Sequence, residues 1–433
     1  MSSSSAAVVT PPAPAPASTP AGRPAVEARP AGRLANMDTP QRLRLLSLGV
    51  VVLSILTGII GAAVFGYLAY SLSRAEDDAA QLIRVQQIQT NLLSADATAT
   101  NAFLVGGLEP AAQRAAYDTA LSTTSTLIAD AARAQPADAD ALSALNLRVV
   151  TYAAAIEQAR ANNRQGLPVG AQYLRTASAQ LRSSTLPILT NLVNANSARA
   201  TDEMDVRVGY LALVFLLVGL AGLVLAQVWV ARRFHRRVNT GLLGAAAVLL
   251  VALVAALIGV QQLSSAVRAT RDGSFTALNN AASARIQAND AKSNESLTLI
   301  ARGSGQAFEK AWSASSELVT TELGTLGGQS GLTGQWQAYT EVHAKIRALD
   351  DGGQWDAAVF GATSTAANSS NSTFAAFDGA LAGYLDGVST QTSTALSGQQ
   401  PGLVVGAILV LLAGLAAAVL GRLGVAQRLR EYR

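Results

Sequence analysis

Arg160 and Arg164 stand four positions apart, so a helix carries both guanidinium groups on one face, and Arg175 follows just past a Gly166-Leu167-Pro168 turn. Guanidinium groups gathered this way offer a fork of N–H donors suited to an amino-acid carboxylate or to an acidic partner surface. The same arginines also suit a solvated helix end, where positive charge complements the helix dipole. Asp96, Asp290 with Lys292, and Arg347 with Trp355 are open to the same two readings. Arg232-Arg233-Phe234-His235-Arg236-Arg237 is a denser run of positive charge. A nucleic-acid patch is one use for such a run, but these arginines sit between two apolar stretches. There they serve better as a topology determinant, with Arg232, Arg233, Arg236 and Arg237 as contacts for a cytoplasmic partner.

Other chemistry is excluded by composition. The chain has no cysteine and two histidines, His235 and His343, which lie far apart in sequence. No thiolate metal site, disulfide framework or histidine-based triad is expected from that inventory. No phosphate-binding loop, nucleophile elbow, HExxH or kinase signature occurs. The glycine-rich runs near residues 303, 327 and 352 lack the strand before and the lysine after that phosphate binding requires, so they read as turns. Neither an enzyme, nor a cofactor, nor a metal is expected. Trp312, Trp336 and Trp355 read as core or bundle-end packing.

The elements that hold these residues are set by apolar patterning. Half of the 433 residues are hydrophobic and only 14% are charged. Four uncharged stretches, within 46–72 (TM1), 208–230 (TM2), 240–262 (TM3) and 401–421 (TM4), are each long enough to span a bilayer core. Arginines crowd the short flanks: Arg42 and Arg44 before the first span, the loop 231–239, and the tail 422–433. The rule that short basic flanks stay inside places both termini in the cytoplasm and residues 73–207 and 263–400 outside a plasma (inner) membrane. Residues 1–45, rich in Ser, Ala and Pro, read as a disordered cytoplasmic tail. No acidic or basic residue interrupts a span, which disfavours an ion-coupled carrier. Gly402 and Gly406 form a small-xxx-small pair suited to close helix contact, within the four spans or in a homodimer.

The two outside segments look alike. Asp96-Ala97 matches Asp290-Ala291, and Tyr152, Arg160 and Gly166 match Tyr339, Arg347 and Gly353 at equal offsets. Gly106-Gly107, Pro136 and Gly166-Leu167-Pro168 mark three breaks in the first segment. Gly303-Ser304-Gly305, Gly327 to Gly331 and Asp351-Gly352-Gly353 mark three in the second. Three breaks give four helices whose ends return to one membrane face. The expected fold is therefore all-α: four transmembrane helices with two extracytoplasmic antiparallel four-helix bundles, arranged as a tandem repeat. Pro187 and Pro401 are expected to kink the helices that join bundle to span.

The run from Ala159 to Arg175 (ARANNRQGLPVGAQYLR) and the run from Asp350 to Val359 (DDGGQWDAAV) resemble actinobacterial membrane proteins of the GlnX type. The proline-rich tail, the four spans and the paired outside segments resemble that family too. More distantly, each outside segment is similar to the four-helix-bundle sensor domains of chemoreceptors, which carry an Asp-x-Arg element late in the first helix. Asp290-Ala291-Lys292 keeps a basic third residue, and Asp96-Ala97-Thr98 departs from it. The resemblance implies a sensor of amino-acid availability. It would receive its signal from a solute-binding lipoprotein of the GlnH type and pass it to a cytosolic Ser/Thr protein kinase of the G type that controls glutamate metabolism. An envelope scaffold, and a transport accessory that receives a solute-binding protein, are the rival expectations. Membrane lipid is an expected partner, and nucleic acid is not.

Overall fold

The structure, a computed structural model, describes residues 39–234 and 239–430. Arg236, Arg237 and His235 lie outside them, as do residues 1–38 of the expected tail. Residues 39–45, assigned to that tail, are instead the start of helix α1 (Thr39–Val105). Pro40 falls in its first turn, where a missing N–H breaks no hydrogen bond. The described residues are helical throughout, with no strand among them.

α1 runs unbroken for 67 residues, about 100 Å at 1.5 Å per residue. Its first half joins three other helices that are long and apolar enough to cross a membrane: α6 (Gly209–Phe234), α7 (Thr240–Thr270) and α13 (Gln400–Arg430). α1 packs on α6 and α13, and α7 packs on the same two, so α1 and α7 lie across the layer from each other. Lipid-facing helices gain nothing from hydrophobic contact with one another, so close backbone approach must hold them together. Gly58 and Gly414 supply it. A Cβ on Gly414 would lie 2.6 Å from the Gly58 Cα and 2.7 Å from the Ser54 carbonyl oxygen. Gly241 and Gly424 repeat the contact at the basic end, where Asn239 caps α7 and donates to the Gly424 carbonyl at 2.9 Å. The glycines singled out from sequence do less. Gly406 faces the Phe65 ring, and Gly402 has no neighbour within 4 Å of an added Cβ.

Beyond the apolar layer stand two helical units. The first joins the second half of α1 to α2 (Ala111–Ala134), α3 (Ala139–Arg164), α4 (Val169–Gln180) and α5 (Leu186–Glu203). Val85, Ile88 and Leu92 of α1 recur at helical spacing and close against Tyr152, Ile156 and Leu189. The second unit contains α8 (Thr276–Ile300), α9 (Gln306–Thr325), α10 (Ser330–Asp351), α11 (Trp355–Thr363) and α12 (Ser370–Ser397). Its core is aromatic: Trp336, Tyr339 and Phe377 are buried, with the Trp336 ring centroid 5.0 Å from each of the other two. α1 and α8 pack side by side and so join the units.

The glycine-marked turns fall where expected. Gly166 and Gly353 both take left-handed backbone, φ +68° and +74°, and close the same motif: Leu167 N–H donates to the Asn162 carbonyl, and Gln354 N–H to the Leu349 carbonyl. The second unit has a further break at residues 364–369 that no glycine or proline announces. Ser369 ends it by capping α12 in a reciprocal box with Ser372. Each proline is accommodated differently from a simple kink. Pro187 follows a π turn, Leu181–Thr185, that takes up its lost hydrogen bond. Pro401 lies in the first turn of α13 after a break at Gly398.

Candidate functional site

The most buried charge in the first unit is Asp96, on the face of α1 turned toward the neighbouring unit and wholly shielded from solvent. Tyr152 Oη and Ser178 Oγ donate to its Oδ1 at 3.1 and 2.6 Å. Ser293 Oγ, from α8, donates to its Oδ2 at 2.6 Å. Arg182, in the π turn, completes the shell: Nη1 lies 3.0 Å from Asp96 Oδ2, and Nε lies 2.8 Å from Asp290 Oδ1 on α8. One guanidinium thus bridges matched aspartates of the two units. Burial alone would lower the Arg182 pKa, but the two carboxylates outweigh it and hold it above its ordinary value. Burial, then the Asp96 charge, drives the Tyr152 hydroxyl well above the usual range, so it stays a donor. Asp290 also accepts from Asn294 and Ser315, both at 2.9 Å. Lys292 does not pair with it, contrary to the grouping suggested by sequence.

Lys292 points the other way, into the second unit. Its Nζ lies 2.8 Å from Glu295 Oε1 and 2.5 Å from Ser370 Oγ. His343 Nδ1 lies 3.0 Å from Glu295 Oε2, and its Nε2 lies 3.3 Å from Glu309. The imidazole stacks on the Trp312 indole with centroids 3.6 Å apart. Burial would raise the Glu295 carboxyl, yet Lys292 and His343 pull it down to about 2. Burial would lower His343, and its hydrogen bonds to Glu295 and Glu309 raise it instead. This chain of alternating charges fixes α8, α9, α10 and α12 against one another.

The arginines singled out from sequence do not converge. Arg160 is nearly buried, paired with Glu109 and Glu157 at 2.8 Å each and lying 4.0 Å over the Tyr117 ring. With Arg164, on the rim, it lines a cavity of about 380 Å³ at the end of the unit farthest from the apolar layer. Arg175 lies elsewhere, beside a groove between the two units. Arg347 is likewise held by carboxylates, those of Glu309, Asp350 and Asp351. It is engaged separately from Trp355, whose indole N–H donates to the Leu299 carbonyl and whose ring lies 3.9 Å under Arg302. Arg232 and Arg233 are exposed at the end of α6. Sequence reading missed Arg182, Ser178, Ser293, Glu295 and Ser370, and set His343 aside as isolated. The one available signal was the position of Asp96 and Asp290 at matched sites, since duplicated acids in a helical core require a cation between them.

Residues 71–205 match the family model of the Actinobacterial sensor domain, a span that coincides with the first helical unit. Comparison with curated proteins and with solved structures gives no match. Asp96 and Arg182 lie within the matched span, whereas Asp290 and Ser293, which complete the bridge, lie outside it. Beside this sensor-domain match, four helices among the described residues are long and apolar enough to cross a membrane, which fits a multi-pass membrane protein.

Proposed function

We propose that this protein senses amino acids of the aspartate, glutamate or glutamine type outside the cell and relays their availability inward. In this reading both termini and the Arg232–Arg237 loop are cytoplasmic, and the two helical units are extracytoplasmic. A solute-binding lipoprotein of the GlnH type engages the units, and a cytosolic Ser/Thr kinase of the G type reads the basic end. The protein itself performs no catalysis. The observation that carries the reading is α1: one unbroken helix bears Asp96 of the inter-unit bridge and also runs to the basic end of the apolar layer. A change in how the units pack is thus a change in the position of that helix.

Two experiments test this. The chain is free of cysteine, so single-cysteine variants at exposed Gln165 and Gln354 label cleanly. Both should react with a membrane-impermeant maleimide from outside intact cells, and reaction only after lysis would reverse the topology. In vesicles holding the full chain, kinase recruitment should change when glutamate-loaded binding lipoprotein is added on the unit side. Recruitment that is absent in both states sinks the relay.

A further inference from the structure

Between the units, α4 and the π turn face α8 and α9 across a groove of about 630 Å³, lined by Gln172, Arg175, Arg182, Asn294 and Phe308 among others. Two buried donors along it lack an acceptor. Arg182 commits Nε to Asp290, and Nη1 to Asp96 and the Ser178 carbonyl, while Nη2 is buried and unpaired. Asp290 cannot relieve it readily, because its second oxygen already accepts from Asn294 and Ser315. Arg175 donates Nη2 to Gln172 at 2.9 Å, its Nε is buried and unpaired, and no carboxylate pairs with it among the described residues. Arg175 and Arg182 are seven positions apart, on one face of a helical run. Buried donors are seldom left without acceptors, and two guanidinium groups on one groove call for an anionic one.

We propose that this groove binds a small carboxylate of amino-acid size, its carboxylate taken by Arg175 and the free Nη2 of Arg182. The amide oxygen of Asn294 is at hand for an ammonium group. Asn294 directs its own amide hydrogens to Asp290, so its oxygen is the group left to accept. Because Arg182 is already shared by Asp96 and Asp290, a carboxylate that draws on it competes with the contact joining the units. Binding is then linked to their packing through its different affinity for the two arrangements. This deepens the sensing role proposed above by naming a direct ligand and its site.

The test is calorimetry on the full chain in detergent micelles, with L-glutamate as the probe and L-aspartate and L-glutamine in parallel. Wild type should bind at least one saturably. Arg175→Ala, whose side chain makes its given hydrogen bond within its own helix, should keep the wild-type circular dichroism and melting midpoint. It should weaken binding about tenfold or more, the loss expected for a charge-assisted contact. Undiminished binding in Arg175→Ala overturns the proposal, and so does binding lost in Arg164→Ala but kept in Arg175→Ala, which assigns the ligand to the distal cavity. No binding of any of the three by wild type overturns it too. If that result coincides with a kinase response to the loaded lipoprotein, the relay stands and the groove alone fails. Glutamate binding with no kinase response does the reverse.

Discussion

Arg182→Gln is the most informative single perturbation of this fold. Asp96 has no solvent exposure, and among the described residues Arg182 is its one cationic partner. Removing one member of a buried pair costs about 3–5 kcal/mol, because the remaining charge is left uncompensated. Two features set the expected value near the lower limit, about 3 kcal/mol: Tyr152, Ser178 and Ser293 still donate to Asp96, and the Arg182 side chain is 24% exposed. Asp290 is 17% exposed and keeps Asn294 and Ser315, so it tolerates the loss better. A double-mutant cycle should therefore give Arg182–Asp96 a coupling of about 2 kcal/mol, and Arg182–Asp290 a clearly smaller one. Asp96→Asn should rescue much of Arg182→Gln. The assay is urea unfolding of the full chain in mild detergent. Trp312, Trp336 and Trp355 report the second unit by fluorescence, and circular dichroism reports the whole helical content. Both signals should shift together, since the bridge joins the units. A shift below about 0.5 kcal/mol in Arg182→Gln, the range of ordinary surface substitutions, would refute the account of the bridge.

Two further outcomes are expected. Gly414→Ala should destabilise the apolar layer by about 1–3 kcal/mol, because the atoms its Cβ would strike belong to the backbone of α1. Gly402→Ala should be neutral, and resistance to SDS unfolding compares them; equal effects would contradict the close approach at Gly58. Glu295 is held near 2, below its ordinary 4.5, so the stability it adds, about 3 kcal/mol, is complete above 4.5 and lost as pH falls toward 2. His343 is raised above 6.5, so its contribution is complete below 6.5 and declines as pH climbs through the folded value. Glu295→Gln should flatten the acid limb of a stability–pH curve, and a limb parallel to wild type would show that the cluster is not charged as described.

Much of the scaffold is legible in the sequence, because its determinants are local. Runs of uncharged apolar residues announce the spans, and Gly166 and Gly353 announce turns that need left-handed backbone. The break at 364–369 escaped because Asn368, at φ +60°, takes the left-handed backbone that glycine takes elsewhere, and Ser364 and Ser369 close the turn with side-chain hydrogen bonds. The site is illegible for a different reason. Asn289 to Ser296 reads as a polar helix face, yet every one of these residues except Asp290 is buried, because α8 is enclosed by its own unit and by α1. Periodicity reports whether a helix has a dry side, and it fails for a helix surrounded by polar partners. Arg182 is hidden for the same reason: its value lies in reaching two aspartates that come together only when the units pack.

The connections between units and apolar layer are unequal, and this decides which helices can carry a signal. The returning helices are interrupted at the boundary: α5 ends at Glu203, with a turn at Met204 and Asp205 before α6, and α12 ends at Ser397, before α13 restarts at Gln400. A displacement in either is absorbed where the regular helix gives way to a turn. The outgoing helices pass without a gap, α1 as regular helix and α7 into α8 through the π turn Arg271–Phe275. A π turn holds a surplus residue and can take up a shift in register, so α7–α8 transmits less stiffly than α1. Arg182 binds directly to α1 through Asp96 and to α8 through Asp290. In the apolar layer the same two chains stand on opposite sides, with α6 and α13 between them. A change at Arg182 that alters the angle between α1 and α8 must therefore move their far ends relative to α6 and α13. The glycine contacts at Gly58, Gly414, Gly241 and Gly424 are where that movement meets its greatest resistance.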